Sequence, residues 1–540
     1  MEGPTFDLTM APSTHEFTPG IATSTLGFNG SFLGPTLIFE SQSAIQLNVS
    51  NQIGEATTVH WHGMHVAPEN DGGPHTVIAD GTTWRPAFTV LDRATTFWYH
   101  PHLHHKTNEH VYRGLAGLII VRDPIEAALS LPRAYGVDDI PVIIQDRQFD
   151  RDGQFVFNAG GVGAGGNTIL INGTIEPFVE VGAGVVRLRL VNGSNGRVYH
   201  IGLQNNRTFF QIGSDGGLLE QPNELTRLRM APGERTEILV DLGNLDGQTV
   251  GLWSYSSELV RGEPGGVAVG PGPPPRPEDI SGTDFQLLEL RVSGSTSVTS
   301  IPSQLVSIER MEEASANRTR PMILNRLGDI DVINGVAMDL SVINEVVELG
   351  DTEIWSISNA TGLPHPFHIH DVQFQILDRA GSPPSASESG WKDVVLVYPG
   401  ETVRFITKFE DFADPDTPYM YHCHFLGHED AGMMGQFLVI DPNATAIERG
   451  GLPDDSFTLS SYPNPTTDWT TIAYRLEQRS QVKISLFDAL GREIKTLFEG
   501  WRDAGENESI WKAQGVVSGS YFIQVEVNGI PRSLPVLIQR

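Results

Sequence analysis

Ten of the seventeen histidines fall in four tight clusters: His60-Trp61-His62, His100-Pro101-His102, His365-Pro366-Phe367-His368-Ile369-His370, and His422-Cys423-His424 followed by His428 and Met433. The last cluster holds the only cysteine of the chain. One His-x-His pair often arises by chance. Four pairs, one of them enclosing the sole thiol, point to bound metal. Structural zinc favours closed tetrahedral sites built from spacings such as Cys-x-x-Cys or His-x-x-x-His. Neither the number of ligands here nor the all-imidazole pairs follow that habit.

The spacing acquires meaning on extended backbone, where residues i and i+2 share a face and i+1 points the other way. His422 and His424 then project together while Cys423 faces the opposite side. In the third cluster His368 and His370 share a face, and His365, an odd offset away, takes the other. Cys423 and His365 on one side, joined by His428 and Met433, give the two-histidine, one-cysteine, axial-methionine set of a blue-copper electron-transfer site. The remaining eight histidines, as four i,i+2 pairs, build an imidazole-rich cavity for further copper ions. Cys423 also joins the two sites through one residue of backbone, which serves electron movement and would be pointless for a structural ion.

Strands must position these ligands, and the chain repeats itself accordingly. Phe97-Trp98-Tyr99-His100-Pro101-His102 is followed by Gly114-Leu115-Ala116-Gly117-Leu118-Ile119-Ile120-Val121, and Tyr419-Met420-Tyr421-His422-Cys423-His424 by Gly432-Met433-Met434-Gly435-Gln436-Phe437-Leu438-Val439. Each reads as a ligand strand, a loop and a closing strand. A third copy, Leu252-Trp253-Ser254-Tyr255-Ser256-Ser257 with its closing strand at Gly265–Val269, has lost the histidines. With 57 Gly and 35 Pro among 540 residues, short strands in sandwiches are expected rather than long helices.

On these motifs the chain resembles the multicopper oxidase family, specifically the three-domain bacterial laccases and metallo-oxidases, over roughly residues 5–441. The resemblance implies an all-β chain of three cupredoxin-like Greek-key sandwich or barrel domains: 1–130 with trinuclear-site ligands, 131–285 as a spacer, and 286–441 with ligands of both sites. It also implies four copper ions. Type-1 copper would be held by His365, Cys423 and His428 with Met433 as weak axial ligand, and type-2 copper by His60 and His368. The type-3 pair would be held by His62, His100, His102, His370, His422 and His424. Electrons would enter at type-1 copper and pass through Cys423 to its flanking histidines. Reducing dioxygen consumes protons, and Asp71 and Glu429 stand at the family's positions for supplying them. His104, His105 and His110 read as supporting or surface residues, His65 and His75 as candidates for lining a solvent channel, and Met434 as packing.

Residues 442–456 read as a linker, and 457–540 as a small immunoglobulin-like sandwich with alternating runs at Val482–Phe487 and Ser520–Val525. This tail is similar to the C-terminal sorting domain of the type IX secretion system, on Ser461-Tyr462-Pro463-Asn464-Pro465, Leu486-Phe487-Asp488-Ala489-Leu490-Gly491-Arg492-Glu493 and Gly519-Ser520-Tyr521-Phe522. That likeness implies engagement with secretion machinery and a secreted, extracellular or cell-surface address, although Met1-Glu2-Gly3-Pro4 has neither the basic nor the apolar segment of a signal peptide. No apolar run reaches the ~18–20 residues of a membrane span. A formal charge of −30 argues against nucleic acid as a partner.

The reductant is less legible. Cuprous oxidases of the family carry a methionine-rich insert, whereas the ten methionines here are scattered apart from Met433-Met434. That favours a laccase-like oxidation of phenols or aromatic amines, with dioxygen as acceptor. A metallo-oxidase acting on Cu(I), Fe(II) or Mn(II) is the alternative, followed by a copper-binding electron-transfer protein without turnover.

Overall fold

The computed structural model describes residues 1–538 except 164, 269–278, 444–458, 463–465, 477, 489–491, 514–515, 518 and 528–529. Two compact units divide at Asn443. Much of the linker expected at 442–456, and the Pro463–Pro465 and Ala489–Gly491 stretches of the sorting motifs, lie outside the described residues.

The first unit contains three pairs of sheets, and one sheet of each pair repeats a single plan. A short strand lies parallel to a closing strand, and the closing strand is antiparallel to a ligand-bearing one. An inner strand is then antiparallel to the ligand strand. In the first copy these are Leu37–Glu40, Gly117–Arg122, Thr95–His100 and His60–His62. In the third they are Glu345–Glu348, Met434–Ile440, Asp414–Cys423 and His365–Ile369. The second runs Phe178–Ala183, Phe285–Ser295, Thr249–Ser254 and Tyr199–Leu203.

The closing strand expected at Gly265–Val269 is therefore displaced. Gly265 takes φ +97° within a turn, and the closing strand is Phe285–Ser295. Glycine at positive φ turns the chain cheaply, so its appearance before apolar residues mimicked the closing motif of the other two copies. Val269 itself lies outside the described residues. The strand also carries the second sheet pair on to Ser295.

Each sheet pair buries its own core. Trp61, Leu47 and Phe97 centre the first, Leu188, Tyr199 and Ile238 the second, and Trp355, Phe405 and Phe437 the third. These inward residues alternate with outward ones, as in packed antiparallel sheets. Some strands are instead buried along their whole length, the ligand-bearing Thr95–His100 at all six positions and likewise Gly117–Arg122 and Val185–Asn192, because their second face meets neighbouring protein instead of water.

The second unit, beyond Asn443, is a smaller sandwich. One sheet holds Leu459–Tyr462, Trp469–Leu476 and Gly505–Lys512; the other holds Glu493–Arg502, Ser480–Asp488, Gly519–Val527 and Ile530–Ile538. Val482, Ile484 and Leu486, and Tyr521, Ile523 and Val525, are buried at a period of two, as the alternation predicts.

Candidate metal centre

Strand register assembles the site. His60 lies opposite His100 in one sheet, and His368 opposite His422 in another. The i,i+2 rule places each partner histidine on the same face, so eight imidazoles converge from the first and third sheet pairs. All eight are at most 1% exposed. Rings also stack in pairs, His60 on His370 and His62 on His368, each with centroids 3.8 Å apart.

Hydrogen bonds to one ring nitrogen leave the other free. His60 Nδ1 donates to the Asp71 carbonyl at 2.9 Å, His368 Nδ1 to the Asp393 carbonyl at 2.8 Å, and His100 Nδ1 to the Pro101 carbonyl at 2.8 Å. His422 Nδ1 donates to the Cys423 carbonyl at 3.1 Å. The Nε2 atoms of His60 and His368 are consequently buried without a protein partner. Backbone acceptors of this kind fix tautomer and ring orientation in metal-ligating histidines.

Two triads stand out. The Nε2 atoms of His102, His370 and His422 lie 3.0, 3.2 and 3.3 Å from one another. A point equidistant from the three is about 1.8 Å from each, near the ~2.0 Å of a metal–imidazole bond. His62 Nδ1 faces His424 Nε2 at 3.2 Å and His100 Nε2 at 3.4 Å. Hydrogen bonds cannot satisfy three mutually facing nitrogens, since each proton serves one pair. A cation can.

Burial pushes the pKa of His62, His100, His102, His368, His422 and His424 well below the ordinary value, and that of His370 to about 4. Neutral imidazoles are the form that binds metal.

On the opposite face of the Asp414–Cys423 strand, Cys423 Sγ lies 3.5 Å from His365 Nδ1 and 3.7 Å from His428 Nδ1, and the two nitrogens are 3.2 Å apart. Thr361 Oγ1 pairs with His365 Nε2 at 2.7 Å. The short helix Leu426–Asp430 carries His428, whose ring reaches the surface at 7% exposure with Asp331 Oδ2 at 3.6 Å from Nε2. Met433 is fully buried; its N–H donates to the His428 carbonyl at 2.8 Å and its carbonyl accepts from Cys423 N–H at 3.0 Å. Burial drives the Cys423 thiol pKa well above its ordinary value, so a thiolate here requires a neighbouring cation.

Two of the buried acids against the imidazole cavity are those the sequence singled out. Asp71 Oδ2 accepts from His370 Nδ1 at 2.9 Å. Burial alone would raise its carboxyl, but the imidazoles of His370 and His60 hold it well below the usual range. Glu429 stands 3.5 Å from His102 Nδ1 and 3.3 Å from His422 Nδ1, and burial lifts its carboxyl well above the usual range.

Other histidines stay outside the cavity. His105 donates to the Asp430 carbonyl at 2.7 Å and stacks on His104, His110 pairs with Thr57, and His75 with Gln436. His65 is clamped between Asp371 at 2.7 Å and Asp411 at 3.1 Å. Sequence reasoning missed Asp393, whose carboxylate meets His62 Nε2 at 3.2 Å while Arg235, from the second sheet pair, grips it with two hydrogen bonds. No local spacing could have found it, since its partners lie far away along the chain.

Residues 9–126 and 302–443 each match a family model described as multicopper oxidase. A relative described as multicopper oxidase mco, from Staphylococcus aureus, is 33% identical over 429 residues, covering 78% of this chain and 86% of its own. The chain belongs to the multicopper oxidase family.

This multicopper oxidase is also 34% identical over 439 residues to the cell division protein FtsP of Escherichia coli, covering 80% of this chain and 89% of that one. Among solved structures, the laccase-like multicopper oxidase CueO from Ochrobactrum sp. aligns at a TM-score of 0.73 with 34% identity over 82% of this chain and 98% of that one. A metallo-oxidase from Campylobacter jejuni aligns at 0.68 with 26% identity, covering 81% and 91%. Residues 460–534 match the secretion system C-terminal sorting domain. This multicopper oxidase thus carries a sorting tail behind its cupredoxin-like sandwiches.

Proposed function

We propose that this protein oxidises phenols and aromatic amines one electron at a time and reduces dioxygen to water. Four substrate molecules each give up one electron and, as phenols, one proton; dioxygen takes the four electrons and four protons and leaves as two waters. Bound copper supplies the one-electron redox chemistry. The carrying observation is the convergence of eight buried imidazoles on one face of a strand whose other face presents Cys423.

His365, Cys423, His428 and Met433 hold type-1 copper in this reading, and His60 and His368 hold type-2. His62, His100 and His424 hold one type-3 ion, and His102, His370 and His422 the other. The two type-3 triads and the set of His365, Cys423 and His428 are supported by the mutual approach of their ligand atoms, and His60 and His368 approach each other together with His370. The His428 edge receives the substrate electron. Cys423 conducts it along one residue of backbone to His422 and His424. Asp71 and Glu429, each against two of the cavity histidines, hold and deliver protons. The sorting tail directs the protein to the cell surface or beyond through secretion machinery.

The likeness to a metallo-oxidase keeps Cu(I), Fe(II) and Mn(II) as a second substrate class. A copper-binding electron-transfer protein without turnover is the third reading, and the likeness to FtsP, described as a cell division protein, is compatible with it. Oxygen uptake by copper-loaded protein separates the three. Uptake with a methoxyphenol at four phenols per dioxygen, without peroxide, is expected. Faster uptake with Cu(I) would replace the substrate class. A blue, fully loaded protein that draws no oxygen with either would end the oxidase reading.

A further inference from the structure

Methionines far apart in the sequence meet in the fold. Met338, from the loop before Glu345–Glu348, joins Met420 and Met434 in a buried cluster with no other apolar side chain in it among the described residues. Met420 stands two residues before His422 on one strand, and Met434 lies opposite His422 in register. By the two-residue alternation the cluster therefore shares its sheet face with the imidazole cavity, while Met433 belongs to the Cys423 side. The Met420 carbonyl accepts from His370 N–H at 2.9 Å.

The cluster extends toward solvent. Met338 N–H donates to the Gly432 carbonyl at 3.0 Å, which ties down a loop whose Leu340 and Val342 are exposed. Gln436, in register with Met420, pairs with the exposed His75 at 2.7 Å. The cluster is thus tied to an exposed loop through Met338 and to the strand position of His422 through Met434.

In the larger cores of this chain methionines are scattered among leucine, valine and phenylalanine, so a cluster of methionine alone needs another account. Thioethers are soft, neutral donors that select Cu(I) over zinc and harder ions, and they bind without losing a proton. We propose that Met338, Met420 and Met434 form a Cu(I)-binding site, separate from the ligands assigned above, that holds Cu(I) between the surface and the imidazole cavity.

The full-length protein, loaded with copper and then fully reduced without oxygen, would be titrated with Cu(I) against a chromogenic Cu(I) chelator. One Cu(I) beyond the loaded complement is expected, with added sulfur scattering in X-ray absorption. Met338→Leu and Met420→Leu conserve volume and are tolerated in cores; each should weaken that one equivalent at least tenfold. Met64→Leu, in the first core, should leave it unchanged. No additional Cu(I), or an additional ion that both variants retain, would overturn the site. Copper content and oxygen uptake of the same preparations report separately on the oxidase reading.

Discussion

Individual side chains in this protein divide into those that touch metal-binding atoms and those that hold them still. Cys423→Ser removes the soft ligand and keeps the shape. Loss of the blue absorption and of phenol oxidation is expected, with copper retained at the cavity by metal analysis. Asp71→Asn tests the other side of the mechanism. It should lower steady-state turnover about 10–100-fold, the usual cost of losing a partner of a ligating histidine. Anaerobic bleaching of the blue band by phenol should keep its rate, because that half-reaction needs no proton at the cavity. All ten clustered histidines, Cys423 and Met433 stood out in the sequence because their spacing is local. Asp393, Thr361 and the Met338 cluster did not, because each acquires its neighbours through folding.

At the level of strands and turns, register decides the chemistry. A one-residue slip of Asp414–Cys423 would exchange the faces of His422 and Cys423 and dismantle both centres together. One glycine guards a comparable alignment. Gly72 closes the short helix Pro68–Asp71 at φ +78°, and a Cβ there would sit 1.7 Å from the Val59 carbonyl oxygen, next to His60. Gly72→Ala is expected to cost more than about 1 kcal/mol, seen as a lowered denaturant midpoint, and to reduce copper bound per chain. The alternation that defines ligand strands was legible in the sequence. The second closing strand was not, since the Gly-Gly before Val267 imitates the other copies while its backbone makes a turn.

Across the whole first unit, a buried ionic network ties the first two sheet pairs. Arg189 donates to Asp139 at 2.7 Å and to Glu237 at 2.7 Å, Arg122 reaches Asp139 at 2.7 Å, and Arg187 binds Glu126 at 2.6 Å and also Glu237. Thr96, on a ligand strand, donates to Glu237 at 2.7 Å. Arg189→Leu should destabilise by about 3–5 kcal/mol, because it strands buried carboxylates; the urea midpoint would report it. Burial favours the neutral form of Asp139, yet Arg189, Arg187 and Arg122 hold it at about 2, below the ~3.9 of an unfolded chain. Its contribution, about 2–3 kcal/mol, is complete above pH ~4 and is lost as pH falls toward 2. Stability of the wild type against pH should show that decline, and Asp139→Asn should flatten it. Such pairs join residues tens of positions apart, so no pattern in the sequence announces them.

The imidazole cavity draws half its ligands from the first sheet pair and half from the third, which has a consequence in time. During synthesis His102 precedes His368, the next cavity ligand, by roughly 270 residues, about 13–50 s at ordinary elongation rates. For that interval the nascent chain offers four histidines with no counterpart, a partial chelator open to whichever divalent ion is at hand. A site split this way cannot discriminate until the last third of the polypeptide has emerged and docked. Correct metallation is then an event in the life of the finished molecule, and the apo form must survive long enough to reach it.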